Sequence, residues 1–222
     1  MRKEIYLIKG IPKENYQQFS ERILDLTSTL KSDTIEKLSV TYTTKSPPKI
    51  SVIPFKKEKI AAISVYSKKG NECNAIRDSE GFAGAFEVKE ALPVSYQKDW
   101  PDNMLTPGAC LLTLFQKKKK ISYETFITRW HNGHTPLSLK IHPLWHYNRN
   151  VVEKKITENS FDWHGIVEEH TRTFSELLNP AKFFGNPFTM FYNMIRVYFD
   201  TQSFLDYKTI ETYLVSEMHI KS

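Results

Sequence analysis

Histidine is concentrated in one stretch of the chain, from Phe126 to Val152, which reads FITRWHNGHTPLSLKIHPLWHYNRNVV. This stretch holds four of the seven histidines and two of the four tryptophans, and the other three histidines lie downstream of it. An imidazole can accept and donate a proton near neutral pH, and it can also bind a metal ion. Proton-transfer or metal chemistry is therefore expected in the second half of the chain.

Within this stretch, His134 is the best candidate for a general acid or base. The pair Asn132-Gly133 predicts an interruption of the helix that carries Trp130, and Thr135-Pro136 predicts its restart, because threonine caps helices and proline fits the first helical position. His134 would then stand at a bend or break of the helix, where its imidazole could face a cavity and a neighbour could tune its pKa. The structural alternative is that His134 only stabilises the bend.

Two pairs of histidines have spacings that occur in metal sites. His131 and His134 are three residues apart, and His142 and His146 are four apart. Such spacings can place two imidazoles on one helix face. However, a glycine lies inside the first pair and a proline inside the second, so neither pair suits a regular helix. We therefore predict no metal site and no cofactor, and keep metal-assisted or haem-assisted oxidation as an alternative.

Three further side chains could assist proton transfer or hold a ligand. Tyr147 offers a phenol donor, and Arg149 offers a cation for an anionic group, although a rim tyrosine and a solvated arginine are the structural alternatives. Glu168 and Glu169 follow an apolar pair on a predicted strand, so their side chains must point to opposite faces. We expect Glu168 to point inward and to pair with a histidine.

Aromatic residues make up 13% of the chain, and many lie in its last third. Such side chains could wall an apolar cavity for a flat substrate, although each of them alone is more often part of an ordinary core. The residues in question are Trp145, Trp163, Phe183, Phe184, Phe188, Phe191 and Tyr192.

Size and charge place the chain among globular proteins without a nucleic-acid partner. Its 222 residues suit one large domain or two small ones, and its net charge of +6 is divided equally between residues 1–107 and 108–222. The run Lys117–Lys120 is predicted to be a solvated loop, with anionic ligands or lipid surfaces as the alternative. We expect a hydrophobic small molecule as partner, no nucleic acid and no membrane, and leave a homodimer open.

Two cysteines, Cys73 and Cys110, have no metal-binding spacing and favour a reducing compartment. The N-terminus does not have the pattern of a signal peptide, and no apolar run approaches the ~18 residues of a membrane span. The predicted location is the cytoplasm.

The first half predicts the element order β-α-β-β-α-β. Strands are expected at residues 5–9, 38–43, 60–66 and 82–96, with helices at 14–30 and within 71–81, and residues 49–55 could add a further strand. The turn-rich segment WPDNMLTPG begins at Trp100 and predicts a linker over residues 100–107. It would separate an N-terminal half, residues 1–99, from a C-terminal half, residues 108–222.

The second half repeats this order. Strands are expected at residues 109–116, 145–152, 165–170 and 210–220, with helical regions at 122–141 and 173–184 and an aromatic strand, MFYNMIRVYF, at 190–199. Two small antiparallel sheets, each covered by helices on one face, would leave two apolar faces to bury. The predicted fold class is α+β, with the two sheets packed face to face as a barrel within one chain.

The central stretch resembles the EthD-domain proteins of the dimeric α+β barrel superfamily. That family has a W-x3-H-x-P-L pattern on a helix and a tyrosine and an asparagine after it, matched here by Trp130, His134, Pro136, Leu137, Tyr147 and Asn150. Similarity continues through Trp163–Glu168, Phe204 and Ser216-Glu217, except that His164 stands where the family has an aspartate. It covers residues 108–222, and the first half resembles a diverged second copy by element order.

The resemblance implies ferredoxin-like halves that pair sheet to sheet, with a ligand pocket between sheet and helices. Related proteins include accessory proteins of ether degradation, fungal polyketide dehydratases and decarboxylases, and cofactor-free monooxygenases. We therefore expect cofactor-independent chemistry of dehydratase, cyclase or monooxygenase type on a hydrophobic or aromatic molecule. His134 would move the proton, and Tyr147 or Glu168 would assist.

The same expectation assigns ligand contacts to six residues. They are Trp130, His131, Trp145, Arg149, His164 and Phe191. A carrier or accessory protein of a degradation pathway, which binds such a ligand without converting it, is the main alternative.

Overall fold

Eight antiparallel strands form a closed barrel in the computed structural model, which describes residues 1–30, 33–68 and 73–222. The strands follow one another around the barrel in the order β1-β3-β2-β8-β5-β7-β6-β4. Their bounds are β1 Arg2–Lys9, β2 Ile35–Tyr42, β3 Ile60–Ser67, β4 Phe82–Val94, β5 Ala109–Phe115, β6 Leu144–Lys155, β7 Gly165–Thr171 and β8 Glu211–Lys221.

Helices cover the outside of this barrel. In chain order they are α1 Tyr16–Thr29, α2 Asn74–Arg77, α3 Tyr123–Thr128, a π-helical turn Arg129–His134, α4 Thr135–Ile141, α5 Phe174–Leu178, α6 Pro180–Phe183 and α7 Met190–Gln202. The predicted α+β class is confirmed, and the order of strands and helices agrees with the prediction except at residues 49–55 and 190–199. None of the described helices has the length and apolar character that a membrane span requires.

Two seams join the first four strands to the last four. β2 pairs with β8, where Val40 lies opposite Met218, and β4 pairs with β6, where Val88 lies opposite Val152. Because the sheet closes on itself, none of the described strands has a free edge to pair with another chain.

Along each strand, side chains alternate between the barrel interior and the outside of the barrel. The interior is packed and helices cover the outside, so both faces of most strands are buried. The interior is packed with apolar side chains from both halves, such as Leu7, Phe86 and Leu112. Outside the first half, α1 buries Phe19 and Ile23 against the sheet. Outside the second half, α3 and the π-helical turn bury Phe126 and Trp130.

The structure corrects two element predictions. Residues 49–55 do not form a strand, and within them only Phe55 forms an isolated bridge, with Thr212 of β8. The aromatic run at 190–199 is helix α7 rather than a strand. A turn precedes it, in which Oδ1 of Asn186 accepts hydrogen bonds from the backbone N–H groups of Phe188 and Thr189. The N-cap residue of α7, Thr189, makes no side-chain capping bond. The strand preference of aromatic residues depends on their packing surroundings and does not decide the structure here.

A third prediction lies partly outside the described residues. The short helix expected within 71–81 is found at Asn74–Arg77, and residues 71 and 72 are not among those that the structure describes.

Candidate functional site

A cavity of about 210 Å³ lies between the outer face of the second half of the barrel and its helices. Strands β5, β6, β7 and β8 form its floor, and the π-helical turn, α6 and α7 form its walls. Most of the lining is apolar, with aromatic side chains from Phe115, Trp130, Phe183, Phe184 and Phe204. Polar groups reach it from His134, His142, Tyr147 and Glu169, and from four hydroxyl-bearing residues, Thr113, Thr201, Tyr207 and Thr212.

The predicted break of the helix at Asn132-Gly133 is instead a widened turn in a continuous helix. Pro136 has no backbone N–H, and its ring would collide with the carbonyl four residues earlier in a regular α-helix. A π-helical turn relieves this conflict, because the N–H of Thr135 bonds to the carbonyl of Trp130, five residues back. The segment Asn132–Pro136 therefore distorts the helix, as predicted, but the helix continues through the distortion without a break.

Arg149 on β6 stabilises this turn from the sheet. Its Nη1 atom donates a hydrogen bond of 2.7 Å to Oγ1 of Thr135, and that hydroxyl in turn donates to the carbonyl of Trp130 at 3.1 Å. The guanidinium also lies 5.8 Å from the Trp130 ring. Arg149, predicted to contact ligand, thus holds the helix that carries His134.

Trp130 fixes the same helix to the barrel. Its ring packs at 4.9 Å from that of Phe115 on β5. Gly165 opens β7 beside it, and a Cβ atom at this position would come within 2.8 Å of the Trp130 ring. The glycine of the WHGIVE segment therefore provides room for this aromatic contact.

His134 is held by hydrogen bonds at both ring nitrogens. Its Nδ1 atom lies 2.7 Å from Oδ2 of Asp200 on α7, and its Nε2 atom lies 3.0 Å from Oγ of Ser138 on α4. A carboxylate on one nitrogen fixes the orientation and the tautomer of the ring, as an acid–base group requires. Sequence analysis missed Asp200 because it assigned this region to a strand.

Glu169, not Glu168, presents a carboxyl group to the cavity. Burial raises the pKa of Glu169, and nearby His134 partly counteracts this shift. The Glu169 side chain forms no hydrogen bond in the part of the chain that the structure describes. Burial also raises the pKa of Tyr147, whose phenol faces the same cavity and lies near Glu169.

Glu168 points into the barrel, where it belongs to a separate polar network. The hydroxyl of Thr41 on β2 donates to its carboxylate. Burial raises the pKa of Glu168, and Lys3 opposes this shift. Lys3 itself donates to Glu90 at 2.7 Å. Glu168 thus points inward as expected, and the histidine close enough to influence it is His170 rather than His134.

This interior network continues to Glu217 on β8. Tyr96 and Thr106 donate hydrogen bonds to its Oε2 atom at 2.6 and 2.9 Å. Burial alone would raise the pKa of Glu217, but His170 and the donors His219 and Tyr96 bring it well below its usual range. A second cavity, of about 360 Å³, opens beside this network at the end of the barrel.

The remaining predicted ligand contacts lie away from the first cavity. His131 packs against the Trp130 ring at 5.2 Å, and burial with nearby Arg149 and Lys89 lowers its pKa to about 4. Trp145 packs on Tyr96 near the second cavity, His164 on Phe126, and Phe191 is exposed on α7. Of the nine predicted site residues, the cavity brings together Trp130, His134 and Tyr147.

The histidine pairs do not form a metal site in the described residues, in which no three His, Cys, Asp or Glu side chains are grouped to bind an ion. His142 donates from Nδ1 to the carbonyl of Phe183 at 2.8 Å and stacks on the ring of that residue at 4.1 Å. Burial lowers the pKa of His142 to about 4, so its ring is neutral at pH 7.

Comparison with solved structures identifies the fold. The chain is similar to an anthrone oxidase-like protein, with a TM-score of 0.62 and 7% identity over 100% of this chain and 94% of the other. It is also similar to a protein of Fusobacterium nucleatum subsp. nucleatum that is provisionally named a monooxygenase, with a TM-score of 0.52 and 10% identity over 99% and 92% of the two chains. No family model and no curated protein matches the sequence. At these identities the likeness establishes the α+β barrel fold.

Proposed function

We propose that this protein binds a flat, hydrophobic aromatic molecule in the 210 Å³ cavity and transfers a proton to or from it without a cofactor. One observation carries the proposal. The half-buried carboxyl of Glu169, which has no hydrogen bond among the described residues, lines the same apolar cavity as the His134–Asp200 pair.

The chemistry follows from these environments. A carboxylate in apolar surroundings is a stronger base than one in water, because burial favours its protonated form. Glu169 would therefore remove a proton from an acidic C–H or O–H group. His134, oriented by Asp200, would supply or accept the second proton, and the Tyr147 phenol would donate a hydrogen bond to a developing oxyanion.

The division of the chain into two ferredoxin-like halves of EthD type is part of the same proposal. The strand neighbours are β4-β1-β3-β2 in the first half and β8-β5-β7-β6 in the second, which supports two ferredoxin-like halves of EthD type. Residues 1–99 and 108–222 would be these halves, linked by residues 100–107, and the cytoplasm remains the proposed location. One structural neighbour is named anthrone oxidase-like, which suggests an aromatic ketone with an acidic C–H group as the first probe.

Anthrone provides the test. Under argon in deuterated buffer, NMR would follow exchange of its C10 protons in the presence of wild type, Glu169→Gln and His134→Gln. The proposal predicts that wild type accelerates exchange and that both variants lose most of the acceleration, by roughly 10²-fold or more. A parallel measurement under air would show whether exchange leads on to oxidation by O₂.

Binding without exchange would favour the carrier instead. Anthrone and a panel of flat aromatic ketones and phenols would be titrated by quenching of tryptophan fluorescence, since Trp130 lines the cavity. Saturable binding of a compound whose protons exchange at the same rate with and without protein would reject proton transfer for that compound and support a non-catalytic binder.

A further inference from the structure

Helix α7 exposes an aromatic face that the other residues described in the structure leave uncovered. Its solvent-exposed positions are Phe191, Tyr192, Ile195, Arg196, Tyr198 and Phe199. Phe188, just before the helix, is 97% exposed. We define the α7 face as these seven residues. The opposite side of the helix meets the π-helical turn and α4 and lines the cavity through Val197 and Thr201.

The size of this face exceeds what monomeric proteins usually expose. The six apolar and aromatic members are exposed by 97% (Phe188), 69% (Phe191), 66% (Tyr192), 57% (Ile195), 45% (Tyr198) and 63% (Phe199). At ~200 Å² for a large side chain, these fractions correspond to roughly 800 Å² of accessible surface. The largest apolar patch of a typical monomer covers about 300–600 Å².

We propose that the α7 face is the interface of a two-fold symmetric homodimer. A stable interface needs about 800 Å² from each partner, which is the area that this face offers. The interface would be isologous, with the two α7 helices crossing near Ile195, the central residue of the exposed stripe. Phe191 and Tyr192 of one copy would then lie near Phe199 of the other.

Composition favours a second copy of the chain over a lipid surface. The α7 face contains aromatic residues and one arginine but neither lysine nor a carboxylate, which is typical of the core of a protein interface. Helices that lie on membranes instead carry many lysines or arginines beside their apolar face. Here the basic run Lys117–Lys120 lies beyond the C-terminal end of α7, where Lys118 donates to the carbonyl of Gln202 at 3.0 Å.

This interface has a functional consequence, because α7 also carries Asp200, the partner of His134. A second copy would hold α7 against the cavity from outside. The proposal concerns assembly, and it does not depend on which reaction the cavity performs.

The direct test is the mass of the full-length protein in solution, by light scattering after size exclusion at micromolar concentration. Wild type is expected at twice the chain mass of 26.0 kDa. Ile195→Glu is expected at the mass of one chain, because two carboxylates would meet at the dimer axis. Met104→Glu is the matched control, since Met104 is an exposed apolar residue of the β4–β5 connection, and it should remain dimeric.

A cross-link gives a test that does not rely on disrupting the protein. Cys73 and Cys110 are both buried, so Ile195→Cys would add the only exposed thiol in the described part of the chain. Oxidation should convert Ile195→Cys to a covalent dimer and leave Met104→Cys as single chains. A monomeric wild type, or an Ile195→Glu variant that stays dimeric, would overturn the proposal. So would a monomeric wild type that sediments with phosphatidylserine vesicles, which would assign the α7 face to a lipid surface.

Discussion

The Nδ1 atom of His134 lies 2.7 Å from the Oδ2 atom of Asp200, which joins the distorted turn of one helix to the far end of another. The carboxylate accepts a hydrogen bond from the N–H group at Nδ1. The Nε2 atom is then left to accept a hydrogen bond from the Ser138 hydroxyl or to carry a second proton. This arrangement fixes both the orientation and the tautomer of a histidine in the cavity wall.

Asp200→Asn is therefore expected to slow proton exchange of a cavity ligand by ~10²–10⁴-fold. The amide keeps the shape of the side chain but removes the carboxylate that orients the imidazole, and its NH₂ group can force the other tautomer. Nitrogen-15 shifts of the His134 ring would report the tautomer, and the anthrone assay would report the rate. Asp206→Asn is the control, because Asp206 caps the backbone N–H of Lys208 and does not contact His134. Unchanged ring shifts and rate in Asp200→Asn would reject the role of this pair.

Glu169→Gln should stabilise the protein while it abolishes proton transfer. Since burial raises the pKa of Glu169, the folded state keeps a proton that the unfolded state releases, and this linkage lowers stability as pH rises above ~4.3. At pH 7 the glutamine variant should gain about 1–3 kcal/mol of unfolding free energy. At pH 4 and below, where the carboxyl is protonated in both states, the gain should disappear.

Glu168→Gln distinguishes the two neighbouring glutamates. The Glu168 carboxyl faces Thr41 inside the barrel, so this variant should retain ligand-stimulated proton exchange. Urea unfolding across pH and the exchange assay would be compared for both variants. Loss of exchange in Glu168→Gln with retention in Glu169→Gln would show that proton transfer occurs at the interior network of Glu168 and not in the cavity.

The choice between these two glutamates shows what the sequence could not determine. Alternation along β7 correctly placed them on opposite faces. Both faces of β7 are buried, one by the barrel interior and one by helices, so residue polarity does not indicate which face holds the ligand. That distinction depends on where the helices leave a cavity.

The fold was more predictable than the site, and for a physical reason. Short apolar runs marked the strands, and two sheets with apolar faces to bury implied a barrel within one chain. His134 was predicted because Asn132-Gly133 and Thr135-Pro136 indicated an irregularity of the helix at this position, which is a local effect. Asp200 was not found, because its position depends on how α7 packs and the aromatic composition of α7 suggested a strand.

Thr135→Val should destabilise the π-helical turn by about 1–3 kcal/mol. The substitution preserves shape but removes the hydroxyl that accepts from Arg149, so the buried cation loses this acceptor, while the carbonyl of Trp130 keeps its bond from the backbone N–H of residue 135. Urea denaturation at pH 7 would measure the loss, and the anthrone assay should show slower exchange because His134 follows directly. Thr128→Val is the control on the same helix, since Thr128 is exposed, and it should change stability by less than ~0.5 kcal/mol. Equal effects of the two variants would contradict the supporting role of Arg149.

Buried neutral histidines should make the protein sensitive to mild acid. Burial lowers the pKa of His142 to about 4, and burial together with His170 lowers that of His146 to about 4. An unfolded histidine titrates near ~6.5, so between pH 6.5 and 4 the unfolded state binds more protons than the folded state. Each histidine therefore removes about 1.4 kcal/mol of stability per pH unit as the pH falls through this window.

The variant His142→Phe isolates one of these contributions. It keeps an aromatic ring against Phe183 but cannot take up a proton. The raised pKa values of Glu168 and Glu169 have the opposite effect on stability as the pH falls. The informative quantity is therefore the difference in unfolding free energy between His142→Phe and wild type at each pH. Urea unfolding from pH 5 to pH 8 should show that His142→Phe loses about 1.4 kcal/mol less than wild type per pH unit below pH 6. Parallel pH profiles for the two proteins would show that the imidazole of His142 takes up its proton at the same pH in the folded and unfolded states.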